Sequence, residues 1–181
     1  MKPQDRYDSL IRYYAETYGL DWRRVKAQVE AESGFNPRAV SPVGAKGLMQ
    51  FMDATWKEWG EGDPFNAEES IKAGCRYMRY LYDRFPEIPD PDERYRFALA
   101  AYNAGIGNIN KCLAVARDAW GHPASYEEWR KAGRPPGPWQ TWDYASRFLS
   151  LVTGKHAVET IQYVNRILPK EECPLAPGAL S

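Results

Sequence analysis

Apolar residues return at steps of three and four along most of this 181-residue chain, the period that gives a helix one apolar face and fixes a helical fold. The spacing predicts helices over residues 5–18 and 21–33, the second opened by Asp21 as N-cap just ahead of Trp22. Asn66 and Glu69 stand at capping-box spacing before a helix whose Ile71, Met78, Leu81 and Tyr82 share a face up to Pro86. Further helices are expected over 92–104, ending at Gly105, and over 108–119. Another is expected over 125–131, where Ser125 and Glu128 repeat the capping-box spacing, and a last one over 156–168, stopped by Pro169. A short helix "DATWKEWG" is expected to begin with Asp53 as its N-cap.

Two stretches break the period. Residues 34–47 hold three glycines and two prolines, which predicts an irregular loop or a small β-hairpin between two helices. Residues 132–140, "AGRPPGPWQ", are not expected to be helical and read as a rigid connector rather than a lid. The length suits one core, so the fold expected is a mainly α single domain over residues 1–170, with a loosely ordered tail at 171–181.

Composition removes several partners. Twenty-four basic residues balance twenty-four acidic ones, so bulk charge recommends neither nucleic acid nor an anionic membrane. No stretch approaches the run of about 18 apolar residues that a membrane span needs, and "MKPQDRYDSL" lacks the apolar run of an export signal. Cys75, Cys112 and Cys173 have no CxxC spacing and read as free thiols. With only His122 and His156 available, no metal site and no cofactor are expected.

Glu32 stands apart. Positions 22, 25, 29 and 32 advance by three, four and three, which puts this acid on the stripe of Trp22, Val25 and Val29. It falls in the last turn before Gly34, where the negative end of the helix dipole and burial both oppose its anion. A glutamic acid that keeps its proton near neutrality suits a general acid for glycosidic cleavage. By position alone, the alternative stays open that Glu32 ends the stripe and reaches out to water.

The segment that follows narrows the choice. "ESGFNPRAVSPVGAKGLMQFM", with "AYNAG" at residues 101–105 and Glu159, Thr160, Tyr163 and Val164 further on, resembles the three ordered motifs of the soluble lytic transglycosylases. The resemblance implies a lysozyme-like fold of the goose-type kind and cleavage of the MurNAc to GlcNAc bond of peptidoglycan glycan strands. It implies Glu32 as catalytic acid/base, with the Tyr163 hydroxyl approaching its carboxyl as a second catalytic residue. Ser41, Gln50, Tyr102 and Asn103 match positions that line the sugar subsites, and Glu159 is expected to be a structural hydrogen-bonding partner. Between the second and third motifs, residues 106–158 run longer than a compact family member needs. Their Trp120, Trp129, Trp139 and Trp142 read as core before they read as a glycan platform.

Most glycosidases flank the scissile bond with two carboxylates, yet no acid follows Glu32 until Asp53. That absence suits a reaction in which the substrate's own 2-acetamido oxygen stabilises the anomeric carbon and its C6 hydroxyl closes a 1,6-anhydro ring. A hydrolytic muramidase of the same fold and a noncatalytic peptidoglycan-binding module are the alternatives. Action at the wall as a monomeric phage endolysin is expected, with a virion-borne or a trimmed periplasmic enzyme as the other settings.

Overall fold

The computed structural model describes residues 5–121, 131 and 137–169. Within them the chain is helical. It runs through α1 (Asp8–Thr17), α2 (Trp22–Ser33), α3 (Asp53–Trp59), α4 (Ala67–Asp83), α5 (Pro91–Ala104) and α6 (Ile106–Ala119), then the short α7 (Trp142–Ala145) and α8 (Leu149–Thr153), and ends in α9 (Ala157–Ile167). Extended pairing among the described residues is limited to two isolated antiparallel bridges, Val40 with Lys46 and Lys46 with Phe51. The loop at 34–47 is thus irregular with a trace of hairpin. Of the helix expected over 125–131 only Lys131 is described, and the tail at 171–181 lies outside the described residues, as do Cys173 and Trp129.

Caps set several of the boundaries. The Asp21 carboxylate accepts from the Arg23 amide at 2.8 Å, and Gly34 closes α2 at φ 57°, a left-handed conformation that glycine adopts without strain. Asn66 accepts from the amides of Glu68 and Glu69. Glu69 does not complete the box: its carboxylate accepts from the Asp63 amide at 2.6 Å, because the Asn66 amide already donates to the Asp63 carbonyl. Asp53 is not an N-cap either. It is the first residue of α3, after Met52, and its side chain pairs with Lys46 at 2.6 Å. Helix α5 starts earlier than the spacing predicts, with Asp90 capping and Pro91 in the first turn, and α6 follows Gly105 directly. Residues 138–140 form a single 3-10 turn, so the break at 132–140 is not wholly irregular.

Helix α5 is the centre of the packing, with every residue from Phe97 to Ala101 fully buried. On one side lie Ile11 and Ala15 of α1, Val25 and Val29 of α2, Leu48, Met49 and Phe51 of the loop, and Ile71 and Cys75 of α4. On the other lie the far end of α4, α6, α9 and the segment 139–149. Tyr77 and Tyr102 touch both halves. Trp139 and Trp142 are buried, Trp142 edge-on to Phe97 at 5.5 Å between centroids, and each indole contributes roughly 4 kcal/mol of transfer free energy to the core. That burial removes them from any sugar-stacking surface. Trp120 stays half-exposed, edge-on to Tyr144.

Candidate active site

The last turn of α2 delivers Glu32 to a cleft between the loop 41–52 on one side and α9 with the end of α5 on the other. Val25 and Val29, which precede Glu32 on its stripe, are fully packed, so the carboxyl emerges where the core ends. From α9 the Tyr163 hydroxyl crosses to donate to Glu32 Oε1 at 2.5 Å, and Gln28 Nε2 donates to that hydroxyl at 3.1 Å. Arg166 Nη2 donates to the Ala31 carbonyl at 2.6 Å, satisfying one of the last acceptors of α2 and bringing a cation near the acid.

Burial dominates the titration of Glu32 and pushes it up to about 7, although the Tyr163 hydrogen bond and the Arg166 charge both pull it down. Burial, then the charge of Glu32, holds the Tyr163 hydroxyl well above its ordinary value. The same two causes act on Tyr102, so both phenols remain protonated donors near neutrality.

The opposite wall is a loop that hydrogen-bonds to itself. Ser41 Oγ accepts from the Ala45 amide at 3.0 Å. Gln50 sits at φ 50°, unusual for a residue with a side chain, and its Nε2 donates to the Gly47 carbonyl at 2.9 Å and the Ala39 carbonyl at 3.3 Å. The amide nitrogen thereby serves the loop, and the group left for a ligand is the acceptor oxygen. Gly47 has no substitute here: at φ 76°, a Cβ would come 2.0 Å from the Pro64 carbonyl oxygen. Tyr102 donates to the Met49 carbonyl at 2.7 Å, which ties the loop to α5, and Asn103 Oδ1 accepts from Thr160 Oγ1 at 2.7 Å.

All six residues singled out in the sequence, Glu32, Tyr163, Ser41, Gln50, Tyr102 and Asn103, line this one cavity of about 730 Å³. Two other acids remain to be placed. Glu159, expected as a structural hydrogen-bonding partner, makes no side-chain hydrogen bond among the described residues; it lies in the first turn of α9 on the cleft lining, its side chain 73% exposed and 4.0 Å from His156 Nδ1. Asp53, expected as an N-cap with its entry to the cleft left open, does not line the cavity, and its side chain pairs with Lys46. Sequence reasoning missed Gln28 and Arg166. Gln28 carries a readable signal, a polar residue four positions before Glu32 on the same apolar stripe. Among the described residues no group of His, Cys, Asp and Glu is placed to hold a metal ion, and no helix is long and apolar enough to cross a membrane.

A helical fold in which the end of a core helix brings a shielded carboxyl to the lining of a large cleft defines a protein of the lysozyme-like class. Residues 9–120 match the model of the Transglycosylase SLT domain, and the chain belongs to that family. It is 36% identical over 180 residues to the membrane-bound lytic murein transglycosylase F of Marinobacter nauticus, covering 96% of this chain and 35% of that protein. To its namesake in Desulfosudis oleivorans it is 34% identical over 174 residues, covering 90% and 35%. The chain thus spans about a third of the length of these relatives. The crystal structure of the 70 kDa soluble lytic transglycosylase SLT70 from Escherichia coli superimposes with a TM-score of 0.57 at 25% identity, over 90% of this chain and 23% of that one.

Proposed function

We propose that this domain, residues 1–170, is a monomeric lytic transglycosylase that cleaves the MurNAc-β-1,4-GlcNAc bond of peptidoglycan with Glu32 as acid and then base. The observation that carries the reading is the Glu32 carboxyl, raised to about 7 and held by Tyr163 at 2.5 Å on the wall of the large cleft. Its family membership and the names of its relatives support the substrate class.

The reaction follows from those groups. With Oε1 engaged by Tyr163, the acid proton of Glu32 resides on Oε2 and passes to the glycosidic oxygen as the anomeric C–O bond breaks. The substrate's acetamido oxygen stabilises the cation at that carbon, and GlcNAc departs as an alcohol. The Glu32 carboxylate then takes the proton of the MurNAc C6 hydroxyl, whose oxygen bonds to the anomeric carbon and closes the 1,6-anhydro ring. Glu32 ends protonated, as it began, and no water is consumed. Ser41, Gln50 and Asn103 serve as sugar contacts from the two walls, and Tyr102 shapes the site by tying the loop to α5.

Glu159 on the lining keeps one alternative specific, since a second carboxylate can activate water as in a muramidase. Mass spectrometry of peptidoglycan digested by the purified protein separates the two. Anhydromuropeptides are expected; products heavier by one water identify a hydrolase, and no products identify a binding module. The setting is the bacterial wall. That the relatives are named membrane-bound favours the periplasm over delivery as a phage endolysin.

A further inference from the structure

Gln28 is a buried amide where the helix pattern calls for an apolar residue. It has no exposed surface and lies between Val25 and Val29 on the inner side of α2. Among the described residues its Oε1 is buried without a hydrogen-bond partner, and its one side-chain hydrogen bond is from Nε2 to the Tyr163 hydroxyl. A buried acceptor left unpaired costs stability, so a residue selected for packing alone would be hydrophobic. What the amide does do is directional. A phenol has one proton; with its oxygen lone pair occupied by the Gln28 N–H, that proton is directed to Glu32 Oε1. Turned through 180°, the amide would instead present Oε1 to the hydroxyl and compete with Glu32 for the same proton.

We propose that Gln28 is a positioning residue of the site, fixing Tyr163 as a donor to Glu32 Oε1 and thereby leaving Oε2 as the proton-bearing oxygen that faces the substrate. The proposal rests on the reading of Glu32 as acid/base. The other groups facing Glu32 are Arg166 and Glu159 from α9 and Tyr102 from α5, and none of them touches Gln28 through a side-chain hydrogen bond. Losing the Gln28 donor weakens the phenol as a donor to the Glu32 anion, which favours the protonated acid.

The test is Gln28→Met, which keeps the volume and removes the amide. Expected are a kcat/KM on purified peptidoglycan about tenfold lower, the worth of one hydrogen bond at the site, an alkaline limb of the pH profile moved to higher pH, and a thermal midpoint equal to or above the parent's. In a Tyr163→Phe background the same change should add no further loss. A lower midpoint with an unmoved pH limb, or a loss that adds in full to that of Tyr163→Phe, overturns the proposal and makes Gln28 a packing residue. Should the methionine variant fail to fold, Gln28→Asn, which withdraws the amide by one methylene, is read by the same pH limb and the same double-mutant comparison. Anhydro product from the parent protein is scored separately: its absence sinks the acid/base reading itself, whereas its presence with an unmoved limb sinks only the role of Gln28.

Discussion

Two carboxylates line the same cleft, and their helices treat them oppositely. Glu32 ends α2, where free carbonyls and burial disfavour its anion; Glu159 opens α9, where free N–H groups suit a carboxylate and most of its side chain stands in water. Tyr163, one turn after Glu159 on α9, donates to the first acid, and His156 is the neighbour of the second. Under the proposed function the shielded acid is the one that carries the proton, and the exposed one is a lining group in contact with water.

Glu32→Gln tests that division hardest. It should lower release of muropeptides by at least about a thousandfold, the upper range for losing a general acid, while the protein stays folded. The parent's kcat/KM should fall about tenfold per pH unit above about 7, because only the protonated acid can act and its titration is centred there. Stability carries the same signature. Burial raises the native value above the unfolded one of 4.5, so between those values the native state binds more protons than the unfolded state and stability falls as pH rises. The loss is complete about one pH unit beyond 7, amounts to about 3 kcal/mol, and should vanish in Glu32→Gln when thermal midpoints are compared across pH.

Tyr163→Phe comes next. Removing a donor to a charged group should lower kcat/KM by roughly ten- to a hundredfold and carry the alkaline limb upward, since that hydrogen bond pulls the Glu32 titration down. Glu159→Gln should be milder, a change in KM of no more than about fivefold with kcat retained, as fits an exposed charge. A loss in kcat equal to that of Glu32→Gln would erase the comparison and make the site a two-carboxylate one.

Much of this contrast is legible in the sequence. Asp21 and Gly34 delimit α2 by their own chemistry, and a stripe ending in Glu32 needs only the helical period. Ser41, Gln50, Tyr102, Asn103 and Tyr163 are legible only through the resemblance to the family's motifs, which implies their place at the sugar subsites. What stays hidden depends on distant contacts. The segment 141–156 breaks into α7, 3-10 turns and α8, too short to form alone, and is held by burial of Trp142, Ala145 and Leu149 against α5 and α6. The Tyr163 to Glu32 bond joins residues 131 positions apart; only the family resemblance anticipates it, since no local pattern signals which face of α9 will meet α2.

The smallest effect belongs to Asp53, the first acid after Glu32 in sequence. A glycosidase that needed a second carboxylate could recruit it only if the loop turned it inward, and Lys46 turns it the other way, at 2.6 Å on a surface where 79% of its side chain is exposed. An exposed pair of this kind contributes about 0.2–1 kcal/mol. Asp53→Asn should therefore shift the unfolding free energy by less than about 1 kcal/mol in denaturant titration and leave kcat/KM and the pH limb where they were. Loss of turnover in that variant would mean that the loop swings Asp53 into the cleft during catalysis. The acid-free run after Glu32 would then hide a partner, and the single-acid mechanism would fall.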